Sequence, residues 1–115
     1  MGIFGKSKVK TDWTIPHTDY CDDGYTRIKL ATYQDKFAYE GLRGLGSRPI
    51  KTVSFAFRKT SNGTPMMNVY ANERYQIGTV WRDNYSDIQQ LIRSGKVRTA
   101  HVDIVDRDEV YLYIK

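Results

Sequence analysis

With 115 residues, 40% of them apolar and 13% aromatic, the chain can bury one modest core and is too apolar to be disordered by composition. No apolar run approaches the roughly 18 to 20 residues of a membrane span, and the N-terminus has no signal-peptide core. The lone Cys21 excludes an internal disulfide, so a cytoplasmic domain held together by packing is expected. The formal net charge of +5 is unevenly spread, because residues 24–82 hold ten Lys/Arg against only Asp35, Glu40 and Glu73. Such a field favours a polyanionic partner.

Residues 1–23 read as a mobile basic arm and an acidic turn: Pro16 keeps a regular element out of the arm, and Asp19, Asp22 and Asp23 lead into Gly24. Gly5-Lys6-Ser7 resembles the end of a phosphate-binding loop, but it lacks the earlier glycine and a preceding strand, so no nucleotide site is expected. His17 and Cys21 share the turn with its carboxylates at a spacing that matches no metal site, and His101 stands far along the sequence. No metal is expected. Residues 24–115 then form a single domain.

Across residues 25–32, apolar and polar side chains alternate and place Ile28 and Leu30 on a buried face, with Arg27 and Lys29 on the wet one. Residues 37–42 read as a further short strand. A flexible basic loop follows, in which Gly41, Gly44 and Gly46 interleave with Arg43 and Arg48 up to Pro49. Residues 50–58 alternate again, with Val53, Phe55 and Phe57 on one face. Beyond the Ser61-Asn62-Gly63 turn, residues 66–71 and 75–80 should pair as a hairpin across Asn72-Glu73, with Gly78 marking a bulge or a close backbone approach. Ser86 and Gln89 at capping-box spacing, the stripe Ile88, Leu91, Ile92, and Gly95 as a left-handed stop predict a helix at about residues 85–94. Residues 97–105 and 110–114 complete the strands, joined by Asp106-Arg107-Asp108, and the last strand is the natural edge. One short helix among about six strands predicts a mainly β fold, a small OB-like or SH3-like β-barrel.

Several of these segments also resemble a known family. They are Phe57-Arg58, Asn68-Val69-Tyr70-Ala71-Asn72, Gln76-Ile77-Gly78-Thr79-Val80-Trp81-Arg82, then Ile88, Leu91-Ile92 and Gly95-Lys96-Val97. Together they resemble the HIRAN domain, as found in small stand-alone bacterial or phage proteins, over about residues 40–100. The resemblance implies a small barrel that binds single-stranded DNA, with Arg58 at the strand-end arginine, Gly78 at the family's glycine and Arg82 at the basic position beyond it. The family's Asn-Pro-Tyr-Asp loop is replaced by Thr60-Ser61-Asn62-Gly63-Thr64-Pro65. Single-strand binding is therefore implied without the grip on a 3′ end.

A single-strand groove needs cations for phosphates and aromatic faces for bases, each stacked base contributing about 1 to 3 kcal/mol. Tyr33, Tyr39, Tyr70, Tyr75 and Trp81 lie within the basic segment; Tyr70 and Tyr75 flank the hairpin, and Trp81 is expected to cover the base of the helix. The candidate nucleic-acid-binding residues are Arg43, Arg58, Tyr70, Arg74, Tyr75 and Arg82. No Ser/His/Asp or Cys/His grouping stands at usable spacing, so neither catalysis nor a cofactor is expected. The reading from a different class is a small phage or mobile-element module that docks on a protein partner through an edge strand or its tyrosine-rich face.

Overall fold

Two antiparallel sheets and two helices make up the computed structural model, which describes residues 8–115 apart from the side chains of 82–85. In chain order the elements are β1 (Trp13–Pro16), β2 (Thr26–Leu30), α1 (Lys36–Leu45), β3 (Thr52–Lys59), β4 (Pro65–Ala71), β5 (Tyr75–Val80), α2 (Arg82–Arg93), β6 (Ala100–Asp106) and β7 (Glu109–Ile114). The first sheet has the order β1-β3-β4-β5 and the second β2-β7-β6. Alternation sends Val53, Phe55, Val69 and Ile77 of one sheet and Ile28, Leu30, Val110 and Leu112 of the other into a common core, which Leu45 of α1 and Ile88 and Ile92 of α2 close.

The mainly β class agrees with the sequence, but the sheets are not closed into a barrel. They touch at two isolated bridges, an antiparallel one between Ala31 and Thr79 and a parallel one between His17 and Ala100. At the second seam His17 and His101, far apart in sequence, stack with ring centroids 5.4 Å apart. Among the described residues no group of His, Cys, Asp and Glu could hold a metal, and no helix is long and apolar enough to cross a membrane.

Four sequence expectations need correction. Pro16 does not keep a regular element out: it ends β1, which pairs with β3 from Trp13↔Phe55 to Pro16↔Thr52. Such an edge strand can accept proline where the N–H is not needed. Residues 37–42 belong to helix α1, so there are two helices; the Asp35 side chain accepts hydrogen bonds from the Phe37 and Ala38 N–H groups and starts the helix. Gly41 serves packing, since a Cβ there would stand 1.8 Å from the Gln76 carbonyl oxygen. α2 begins at Arg82, with Trp81 at its N-cap, and not at the Ser86 capping box. Finally, β7 is central to its sheet, and the edges are β2 and β6.

The hairpin came out as expected. Asn72 and Glu73 both take left-handed φ values of 55° and 61°, and the Arg74 N–H donates to the Ala71 carbonyl, which is the tight turn that matches strand twist. The β4–β5 register shifts between Val69 and Tyr70, opposite the Ile77-Gly78 step. Gly78 is also a close approach, because a Cβ there would lie 2.6 Å from the Leu30 Cβ.

Candidate nucleic-acid interface

The tip of the β4–β5 hairpin is tied to the start of β3 by one side chain. Asn72 Oδ1 accepts from the Lys51 N–H at 2.7 Å, and its Nδ2 donates to the Pro49 carbonyl at 3.0 Å. This clasp sets Lys51 beside Arg74. Across from them α1 ends at Gly46, whose left-handed φ of 56° lets its N–H close back on the Leu42 carbonyl. The chain then turns so that Arg48 donates to the Gly44 carbonyl at 2.6 Å, and its guanidinium lies 5.9 Å from the centre of the Tyr75 ring. A cation placed on the exposed carbonyls of a helix end is held by hydrogen bonds and by the helix dipole together.

The result is an open groove of about 520 Å³ whose lining, among the described residues, includes Lys8, Arg48, Lys51 and Arg74 on the basic side and Glu73 as the one carboxylate. Lys8 pairs with Glu73 at 3.2 Å, so the two cancel. Among the described residues, no carboxylate pairs with Arg48, Lys51 or Arg74, which stand on an exposed surface. Three cations grouped in a concave surface, one of them held in place, attract anions by Coulomb force. No family model, no curated protein and no solved structure matches the chain. Geometry and chemistry therefore carry the functional argument.

Of the residues singled out from the sequence, Arg74 and Tyr75 stand in this groove. Arg43 is exposed on the last turn of α1, outside the groove lining. Arg58 pairs with Asp12 at 3.3 Å and donates to the Lys10 and Phe57 carbonyls, each at 2.9 Å. It faces Met66 at the far end of the β3–β4 ladder, about 20 Å of strand away from the hairpin tip. Arg58 and Arg74 do not share a surface. Tyr70, expected to be exposed, is only 8% so, and pairs across the ladder with Gln76. Tyr75 is half-buried between Gly44 and Arg48 and serves as the seat of a guanidinium. The side chain of Arg82 lies outside the described residues.

Sequence reading did not select Lys8, Arg48, Lys51 or Asn72. The signal for Asn72 was present in the hairpin turn, but its clasp on residues 49–52 depends on a tertiary contact. Arg48 was visible only as one cation in a glycine-rich stretch, because the helix that gives it a role was not recognised.

Proposed function

We propose that the chain is a non-catalytic nucleic-acid-binding module that holds single-stranded DNA by its phosphates in the groove at the hairpin tip, with little sequence preference. The observation that carries this reading is the grouping of Arg48, Lys51 and Arg74 on one concave surface where the carboxylate among the described residues, Glu73, is already paired with Lys8. Arg48 is held on the helix end and on Tyr75 before any ligand arrives, so little side-chain freedom is lost when it meets a phosphate. Contacts to phosphate position a strand but carry no base information, so the expected sequence preference is weak. The resemblance to HIRAN domains points to the same ligand. The bridges Ala31–Thr79 and His17–Ala100 support the companion reading that the two sheets act as one small barrel-like body.

Titration of a labelled single-stranded oligonucleotide tests the proposal. Binding in the micromolar range at about 50 mM salt should weaken steadily as salt rises, because each phosphate contact releases condensed counterions. Arg74→Ala or Lys51→Ala should lower the salt slope by about 0.7 each. Absence of binding at about 50 mM salt would remove the nucleic-acid reading.

A second reading has its own observation. On the edge strand β6, Ile104 and Val105 are 38% and 56% exposed between Asp103 and Asp106. An exposed edge with apolar side chains is a surface to which a strand of a protein partner can add, and its acidic flanks favour a basic partner. Replacing Val105 by Lys would abolish such a complex and leave oligonucleotide binding intact.

A further inference from the structure

Among the described residues, Tyr20, Tyr33, Phe37 and Trp81 are the strongly exposed aromatic side chains. Tyr33 follows β2, Phe37 stands in the first turn of α1 and Trp81 follows β5, and the clefts they line adjoin one another through β5 residues. Arg74 lines both the groove and a neighbouring depression of about 350 Å³ that also contains Phe37 and Gln76. Gln76 Nε2 in turn lies 3.5 Å from the Thr79 hydroxyl, and Thr79 lines a further cleft of about 350 Å³ flanked by Tyr33 and Trp81. β5 from Tyr75 to Val80 spans about 17 Å, enough for a few nucleotides.

We propose that β5 is the spine of a single-strand track. Phosphates enter on the basic groove, and successive bases stack on Phe37 and then between Tyr33 and Trp81. The inference rests on the nucleic-acid reading and deepens it by assigning the stacking surface. Phe37 is 69% and Tyr33 74% exposed, whereas Tyr70 is buried and Tyr75 is occupied by Arg48. Large apolar rings left in water beside a cationic groove have an evident use in stacking, which tolerates any base because every base has a π-face. The charges agree with this division of labour. Glu40 in the depression and Asp108 in the cleft disfavour phosphate there but can accept hydrogen bonds from base amino groups, and Lys29 provides a cation beside the cleft.

The test compares labelled oligothymidylate and oligoadenylate binding by the parent chain, Phe37→Ala, Tyr33→Ala and Phe37→Tyr, with circular dichroism reporting folding. Each alanine variant should fold normally and bind roughly 5- to 100-fold more weakly with the salt slope unchanged, since stacking releases no ions, and Phe37→Tyr should restore affinity. In a Trp13→Phe background, Trp81 is the sole tryptophan, and its fluorescence should be quenched when the strand binds. If the parent binds but the alanine variants bind equally well and Trp81 is not quenched, the track is wrong while the groove stands. If the parent binds no oligonucleotide, both are overturned.

Discussion

At Gly41 two opposing effects can be weighed. In a solvent-exposed helix interior, replacing glycine by alanine stabilises by about 1 kcal/mol, because alanine loses less backbone freedom. Here the added Cβ would lie 1.8 Å from the Gln76 carbonyl oxygen and 2.7 Å from its nitrogen, so helix and strand would have to separate. Overpacking of this kind costs about 1 to 3 kcal/mol or more, and Gly41→Ala should therefore lower the urea midpoint. A raised midpoint would show that α1 does not sit on β5. Gly44 is a milder case: its Cβ would stand 3.1 Å from the Tyr75 ring, which can tilt. Gly44→Ala should change stability less and affinity for oligonucleotide more, because Arg48 is seated on that ring.

Among the elements, α2 offers the clearest energetic contrast. Ile92 is fully buried in the core and Leu91 only partly so, although both belong to the stripe that predicts the helix. Ile92→Ala should cost about 2 to 5 kcal/mol and Leu91→Ala distinctly less, as read from chemical denaturation. Equal costs would mean that the helix is rotated about its axis. The stripe and the Gly95 stop, with φ at 74°, were legible in the sequence because periodicity and turn chemistry are local. So was the Asn72-Glu73 hairpin. The start of α2 was not, since its N-cap Trp81 makes no side-chain cap hydrogen bond and Ser86 offered a misleading one. α1 was hidden by Gly41, Gly44 and Gly46, which look like a loop until the strand beneath them is known; Asp35, with Ala38, Leu42 and Leu45 at helical spacing, was the signal available. Exposure of Phe37 and burial of Tyr70 had no local signature, because alternation alone does not say which face of a sheet is covered. For this reason the sequence points to the basic segment but selects Tyr70, which the fold buries, and passes over Phe37, which the fold exposes.

On the scale of the molecule, the seam between the sheets should make stability depend on pH. The His17 side chain is 6% exposed, and its Nε2 accepts a hydrogen bond from the Val102 N–H at 3.1 Å, a contact that only the neutral ring can make. Burial, and then the neighbouring His101, hold its pKa below the usual 6.5, while Asp19 and a backbone hydrogen bond at Ile50 pull the other way. His101 also faces Tyr113, with ring centroids 5.6 Å apart. Because the folded state binds this proton less readily than the unfolded chain, the His17 contribution is complete above about pH 6.5 and is lost as pH falls from there through the folded pKa. Denaturation at pH 5.5 should thus occur at lower urea than at pH 7.5. His17→Gln, which keeps an acceptor but does not titrate, should shrink that difference; an unchanged difference would place the titration elsewhere.

The central place of β7 also dictates an order of events during synthesis. Both of its neighbours depend on it: Ile28 of β2 pairs with Leu112, and Val102 of β6 pairs with the same residue from the other side. β2 leaves the ribosome early and has no ladder to join until residues 109–114 follow, whereas β1, β3, β4 and β5 can assemble from an earlier stretch. Until then the nascent chain carries β2 without its ladder and Ile28 without its strand partner, which is when it is most open to aggregation or to a chaperone. A chain arrested at Asp108 should show slow amide exchange in the β3–β5 region and rapid exchange at Ile28 and Val102.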